Sequence, residues 1–368
     1  MTGGWHPASW RERPAAQQPV YADAATLAAV EAKLRQAAPI VDAQSVRVLK
    51  GRLAEAAAGR SLLLQGGDCA ETFAEPDVDA LAALFERLAD QLERSLRQPV
   101  VQLARIAGQF AKPRTVEGEV WRGEIVNGRE ALAPDPTRML RAHQHAVRTA
   151  ARLPAGLFAS HEALLLPYEE ALVRNDEQGM PYSVSGHLLW IGERSRDLGG
   201  AHVEFLSGLT NPVALKIGPG LGTEELLRLA DRLDPAREPG RLTLIVRQGA
   251  NEITRALPPL MRVLRAEGRA PLWVSDPMHG NTLRGGPRKV RRLSDMIRET
   301  ENFVAIALAE GVWPGGLHLE MTPENVAECS GGREGQGWTS ACDPRLNPEQ
   351  AAELAGAFAA ALARREAA

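Results

Sequence analysis

Short apolar runs alternate with longer helical stretches along this chain, and that rhythm limits its possible folds more than any other feature. The runs are SLLLQGG (61–67), PVVQLARIAG (99–108), HEALLLPY (161–168), GHLLWIGE (186–193), NPVALKIGP (211–219), RLTLIVRQG (241–249), APLWVSDP (270–277) and GGLHLEMT (315–322). Between them lie segments of helical composition such as DALAALFERLADQLERSL, TEELLRLADRL and LSDMIRETENFVAIALAEG. The last run is followed by NPEQAAELAGAFAAALARR, where Asn-Pro-Glu reads as a helix start. Near-continuous apolar strands, each followed by a crossover helix, predict an α/β fold in which a parallel sheet closes into a (β/α)8 TIM barrel. An open doubly wound sheet is the second choice. The first 35 residues, rich in Pro, Gln and Trp, read as a short N-terminal extension, and residues 36–368 as one catalytic barrel.

In a closed barrel, side chains at the C-terminal ends of the strands converge on one mouth, and the first strand meets the last. The polar residues after the runs fall into two groups. Cys69 follows the first run, His279 the seventh, Glu320 lies in the eighth, and Asp343 sits in the loop beyond. Adjacent strands would bring these four together as metal ligands. A mixed sulfur, nitrogen and oxygen set suits Mn2+, Co2+, Fe2+ or Zn2+ better than Mg2+ or Ca2+. For Cys69 alone the competing reading is a buried structural thiol; His318, on the same strand face as Glu320, is an alternative to His279 but reads more readily as an ordinary hydrogen-bonded strand histidine.

The second group is cationic: Arg105, Lys112 and Arg114 after the second run, Arg194 beside Glu193 after the fourth, Lys216 in the fifth and Arg247 in the sixth. Strand ends are costly places for unpaired cations, so this pattern predicts a ligand with more than one phosphate or carboxylate. GPGLGTEE after the fifth run lacks the Gly-Lys-Ser/Thr ending of a phosphate loop and reads as a strand-to-helix turn.

Composition narrows the class. A formal net charge of −3 gives no reason to expect a nucleic-acid or membrane partner. The opening residues contain no apolar signal core, and three cysteines do not make a secreted disulfide framework. A cytoplasmic protein with reduced thiols is expected.

LLLQGGDCAETF, RIAGQFAKPRT, SHEALLLPYEEAL, WIGERSR, DPMHGNT, PGGLHLEMTPENVAECSGG and ACDPRLN together resemble the type II (plant-like) 3-deoxy-D-arabino-heptulosonate 7-phosphate (DAHP) synthases, in the same order over nearly the whole chain. The resemblance implies a (β/α)8 barrel that condenses phosphoenolpyruvate with erythrose 4-phosphate, the first step of the shikimate pathway. It implies a divalent metal, Mn2+ or Co2+ ahead of Zn2+ or Fe2+, on Cys69, His279, Glu320 and Asp343. By motif, Arg105, Lys112, Glu193, Arg194, Lys216 and Arg247 correspond to phosphoenolpyruvate-binding positions. Arg114 and Thr115 correspond to those for the erythrose 4-phosphate phosphate. Lys112, Glu193 and His279 are the catalytic candidates, Glu193 as the base for water. The family also suggests a homo-oligomer, at least a dimer.

Full-length members carry an additional helix pair before the SHEALLL strand, and aromatic amino acids act through it. Here RMLRAHQHAVRTAARLPAGLFA runs straight into SHEALLL, so weak or absent feedback and a role in secondary metabolism are expected. The unusual loop GGPRKVRRL leaves room for an amino or imino sugar phosphate as the acceptor. A non-catalytic paralogue that binds a partner is the reading from another class. Cys342, next to Asp343, is a candidate disulfide partner for Cys69.

Overall fold

The computed structural model describes residues 4–113, 121–283 and 288–364. Its elements in order are α1 (Ala24–Arg35), α2 (Ala43–Ala57), β1 (Leu62–Gly67), α3 (Val78–Leu96), β2 (Val100–Arg105), α4 (Arg138–Ala150), β3 (Leu157–Glu162), α5 (Leu166–Ala171), β4 (Val173–Asn175) and β5 (Pro181–Ser183). They continue with β6 (Leu188–Ile191), α6 (Ala201–Ser207), β7 (Val213–Ile217), α7 (Thr223–Leu233), β8 (Leu242–Val246), α8 (Ile253–Ala266), β9 (Leu272–Ser275), α9 (Leu293–Ala309), β10 (Pro314–Glu320) and α10 (Pro348–Ala363). Among the described residues, parallel strands close a barrel in the order β1-β10-β9-β8-β7-β6-β3-β2, as the alternating pattern predicts. The β4–β5 pair forms a separate antiparallel hairpin.

Local chemistry explains the elements. Helix α3 buries Leu81, Leu84, Phe85, Leu88 and Leu92, a stripe at helical spacing, and the Asp77 side chain caps its first turn. Helix α10 starts with a capping box in which Asn347 and Gln350 satisfy each other's backbone N–H groups, with Pro348 in the first turn. The strands are apolar on both faces because one face meets the helices and the other fills the barrel. Leu63, Val101, Phe158, Leu188, Trp190, Ile245 and Leu272 pack inside it. Leu49, Leu53 and Ala56 of α2 join that inner cluster and plug the end at which the strands begin.

The third strand corrects the sequence reading. The apolar run 161–168 is not the strand; β3 is Leu157–Glu162, and Leu166 already begins α5. Ser160, His161 and Glu162 are buried polar residues that disguise the strand. Residues 163–166 are apolar because the N-terminal segment covers them. Gln18 donates from Nε2 to the Leu164 carbonyl at 2.8 Å and accepts from the Leu166 N–H at 3.1 Å. Trp5 and Trp10 hold the same segment on its own barrel. Trp5 Nε1 donates to the Glu204 carbonyl at 2.9 Å, and Trp10 Nε1 to Glu170 at 2.8 Å.

Candidate active site and metal centre

His279, Glu320 and Asp343 each offer a ligand atom within 4.8 Å of the others'. His279 opens a short turn after β9, Glu320 ends β10, and Asp343 precedes α10, so neighbouring strand ends bring them together. The imidazole is oriented from behind: His279 Nδ1 lies 2.7 Å from Asp276 Oδ2, which leaves Nε2 facing Glu320 Oε1 at 3.2 Å. Burial alone would raise the Asp276 and Glu320 carboxyls. His279 and Lys216 beside Asp276, and His279, Arg291 and Arg105 around Glu320, hold both well below the usual range. Two buried carboxylates with an imidazole kept in one tautomer suit a divalent ion.

Cys69 borders the same cavity but stands outside that close group. Its Sγ lies 2.6 Å from Cys342 Sγ and 3.2 Å from Ser340 Oγ, and it accepts the Asp343 N–H at 3.4 Å. Burial would raise this thiol, but the Cys342 contact and Lys112 outweigh it and bring it down to about 7. A thiolate near neutral pH is the form that binds metal.

The cations surround the other side of a cavity of about 100 Å3. Arg105, at the end of β2, is fixed by its Nε to the Asp68 carbonyl at 3.0 Å and by its Nη2 to Glu320 at 3.0 Å. Lys216 reaches Asp276 at 3.1 Å, and burial brings its ammonium down to about 8. Both cations lie over the face of Trp190, at 5.2 and 5.8 Å from the ring centre. Lys112 contacts Asp343 at 2.6 Å, and Arg247 lies 3.7 Å from Glu193. Arg194 lines the same cavity. Arg114 and Thr115 lie outside the described residues. A larger hollow of about 690 Å3 at the opposite end of the barrel, between Trp273, Trp313 and Met261, brings together no comparable set of ionisable groups.

The Class-II DAHP synthetase family model matches residues 5–156 and 150–359. The chain belongs to this family. A probable phospho-2-dehydro-3-deoxyheptonate aldolase of Pseudomonas fluorescens is 42% identical over 370 residues, covering 92% of each chain. The Streptomyces coelicolor phospho-2-dehydro-3-deoxyheptonate aldolase is 38% identical over 428 residues, covering 94% of this chain and 95% of its own. The Mycolicibacterium smegmatis counterpart is 36% identical over 428 residues, covering 93% and 91%. Those two alignments exceed the 368 residues of this chain, so both relatives contain segments that it lacks. A solved phospho-2-dehydro-3-deoxyheptonate aldolase from Francisella tularensis shares the fold with a TM-score of 0.60 at 18% identity, covering 90% of this chain and 96% of its own.

In this class-II synthetase, several residues at the centre escape sequence reasoning. Glu162 ends β3 with Oε1 buried and without a hydrogen-bond partner, so close to Gly192 that a Cβ there would meet it at 2.1 Å. Lys289 Nζ lies 2.5 Å from Asp343 Oδ1. Arg291 contacts Glu320 and is fully buried. His318, which the sequence offered as an alternative to His279 but more readily as a hydrogen-bonded strand histidine, is the latter: it bridges Gln65 at 2.7 Å and Arg105 at 2.7 Å, a strut behind Arg105. Glu71 accepts the N–H groups of Ala107, Gly108 and Gln109 at 3.0, 2.9 and 2.7 Å, and so shapes the turn between Arg105 and Lys112. Ala107 has φ +61° there, a left-handed conformation that these bonds stabilise.

Proposed function

We propose that this DAHP synthase condenses phosphoenolpyruvate and erythrose 4-phosphate in this cavity, with a divalent ion held by Cys69, His279, Glu320 and Asp343. The observation that carries the reading is the meeting of the His–Glu–Asp group with Arg105, Lys112, Lys216 and Arg247 around one cavity at the strand ends. When bound, the ion supplies Lewis acidity toward the aldehyde oxygen.

The chain's own side chains do the rest. Arg105 and Lys112 hold the phosphoenolpyruvate carboxylate, and Lys216, Arg247 and Arg194 hold its phosphate, which fixes C3 toward the aldehyde carbon. As the new C–C bond forms, C2 gains positive character, which the carboxylates of Glu193 and Glu162 stabilise. Water adds at C2. Glu193 Oε2, buried and without a hydrogen-bond partner, accepts its proton, and Glu162 Oε1 is a second such acceptor. The hemiketal phosphate then collapses, and its C–O bond breaks to release inorganic phosphate. The Arg114 and Thr115 motif holds the acceptor's phosphate.

The same reading takes the enzyme as a cytoplasmic homo-oligomer, with weak or no aromatic feedback and a place in secondary metabolism. The segments missing relative to the longer relatives support the feedback part. Among the described residues no helix is long and apolar enough to cross a membrane.

The test is phosphoenolpyruvate consumption by chelator-treated protein with erythrose 4-phosphate. Activity restored by Mn2+ or Co2+, with one phosphate released per phosphoenolpyruvate consumed, is expected. Full activity without metal would overturn the metal assignment, and no activity with any metal would overturn the acceptor.

A further inference from the structure

Arg291 lies in the basic run RKVRR (288–292), part of the loop that the sequence places after His279. Its side chain is only 1% exposed and is among the largest fully buried side chains of the described residues. The backbone holds it rigidly. The Arg291 carbonyl accepts the Ser330 N–H at 2.9 Å, and α9 begins two residues later.

The guanidinium makes three contacts on three separate loops. Nε donates to Thr282 Oγ1 at 2.8 Å, in the segment that follows His279. Nη1 donates to Glu320 Oε2, at the end of β10. The same Nη1 donates to the Pro344 carbonyl at 2.6 Å, immediately after Asp343. One rigid, planar fork thus touches Glu320 itself and the neighbouring chain of the other two close ligands.

Charge balance alone does not explain this arrangement. Glu320 already has Arg105 Nη2 at 3.0 Å and His279 Nε2 at 3.2 Å on its other oxygen. What Arg291 adds is the link to Thr282 and Pro344. We propose that Arg291 is the positioning residue of the metal centre, setting the spacing of His279, Glu320 and Asp343 by tying their three loops together. This inference rests on the metal-ligand reading above.

Equilibrium Mn2+ binding, followed by loss of the free-ion electron paramagnetic resonance signal, tests it without using activity. Wild-type protein is expected to bind one Mn2+, and His279→Ala to lose it. Arg291→Gln is expected to raise the Mn2+ Kd by about 10–100-fold. Arg291→Lys keeps the charge but not the fork, and should recover only part of that loss. Thr282→Val cuts one of the three ties while leaving the Glu320 contact, and should raise the Kd several-fold in protein that folds normally.

Unchanged Mn2+ affinity in the variants beside a tight wild type would overturn the inference and leave the metal reading intact. So would a lowered melting temperature of chelated protein with no change in Kd, or full recovery by Arg291→Lys. A wild type that binds no Mn2+ would overturn both.

Discussion

Lys112 Nζ lies 2.6 Å from Asp343 Oδ2, and Lys289 Nζ lies 2.5 Å from the other oxygen of the same carboxylate. Two cations thus converge on one carboxylate of the close His–Glu–Asp group, and burial and charge act together on it. Burial would raise Asp343; Lys112, Arg291 and Lys289 hold it far below the usual carboxylate range. Lys112 also faces the cavity. Lys112→Met is expected to lower kcat/KM for phosphoenolpyruvate by about 100–1,000-fold, the cost of removing one charged donor from a reaction centre. Initial rates at varied phosphoenolpyruvate check this, and a change below about threefold would remove Lys112 from the reaction.

The 2.6 Å approach of Cys69 and Cys342 predicts a redox-sensitive metal-free state. Hydrogen peroxide would take two electrons and two protons from the thiols, forming the S–S bond and two molecules of water. Chelated protein treated with peroxide should then titrate one free thiol, Cys329, of the three present in reduced protein. Dithiothreitol and Mn2+ should restore activity, and Cys342→Ser should abolish the effect. Three titratable thiols after treatment would dispose of the idea.

Glu299 of α9 gives a pH prediction. Its carboxylate accepts the Gly249 N–H at 2.8 Å and Asn281 Nδ2 at 2.6 Å, and so joins the turns that follow Arg247 and His279. Burial raises it from the ordinary 4.5 to about 8. Between those values the native state keeps a proton that the unfolded chain releases, so this group's contribution to stability falls as pH rises through that window. Urea unfolding of wild type and Glu299→Gln from acidic to mildly alkaline pH should show a flatter dependence for the variant. Parallel curves would contradict this.

Phenylalanine, tyrosine and tryptophan are expected to leave the initial rate unchanged, where a coupled feedback site would shift affinity by about 5–150-fold. The barrel passes from α4 to β3 through a short turn, with no helix between them. Inhibition by any of the three at micromolar levels would locate a feedback site elsewhere in the chain.

The barrel was legible because parallel strands buried on both faces read as apolar runs between turn residues. Only β3 escaped, since Ser160, His161 and Glu162 put its polar end inside the fold while the apolar stretch after it lies under Gln18. Cys69 and His279 stood out because rare ligand types close on apolar runs, and Glu320 because a carboxylate sits inside one, while Asp343 in the loop beyond was legible chiefly through the ACDPRLN motif. Arg291 and Lys289 did not, because a basic run looks the same whether it faces water or a buried carboxylate. Glu162 was hidden for a related reason: a carboxylate at a strand end has no distinguishing pattern until Gly192 and the cavity are placed beside it.

The helix at the foot of the barrel governs traffic. With Leu49, Leu53 and Ala56 closing the lower end, everything that reacts here enters and leaves by the upper rim. A vessel with a single doorway works as a stack: the molecule seated deepest, against Arg105 and Lys216, must arrive first and be covered by the second. On the proposed assignment this predicts ordered addition, donor before acceptor, with saturating acceptor trapping the donor in place.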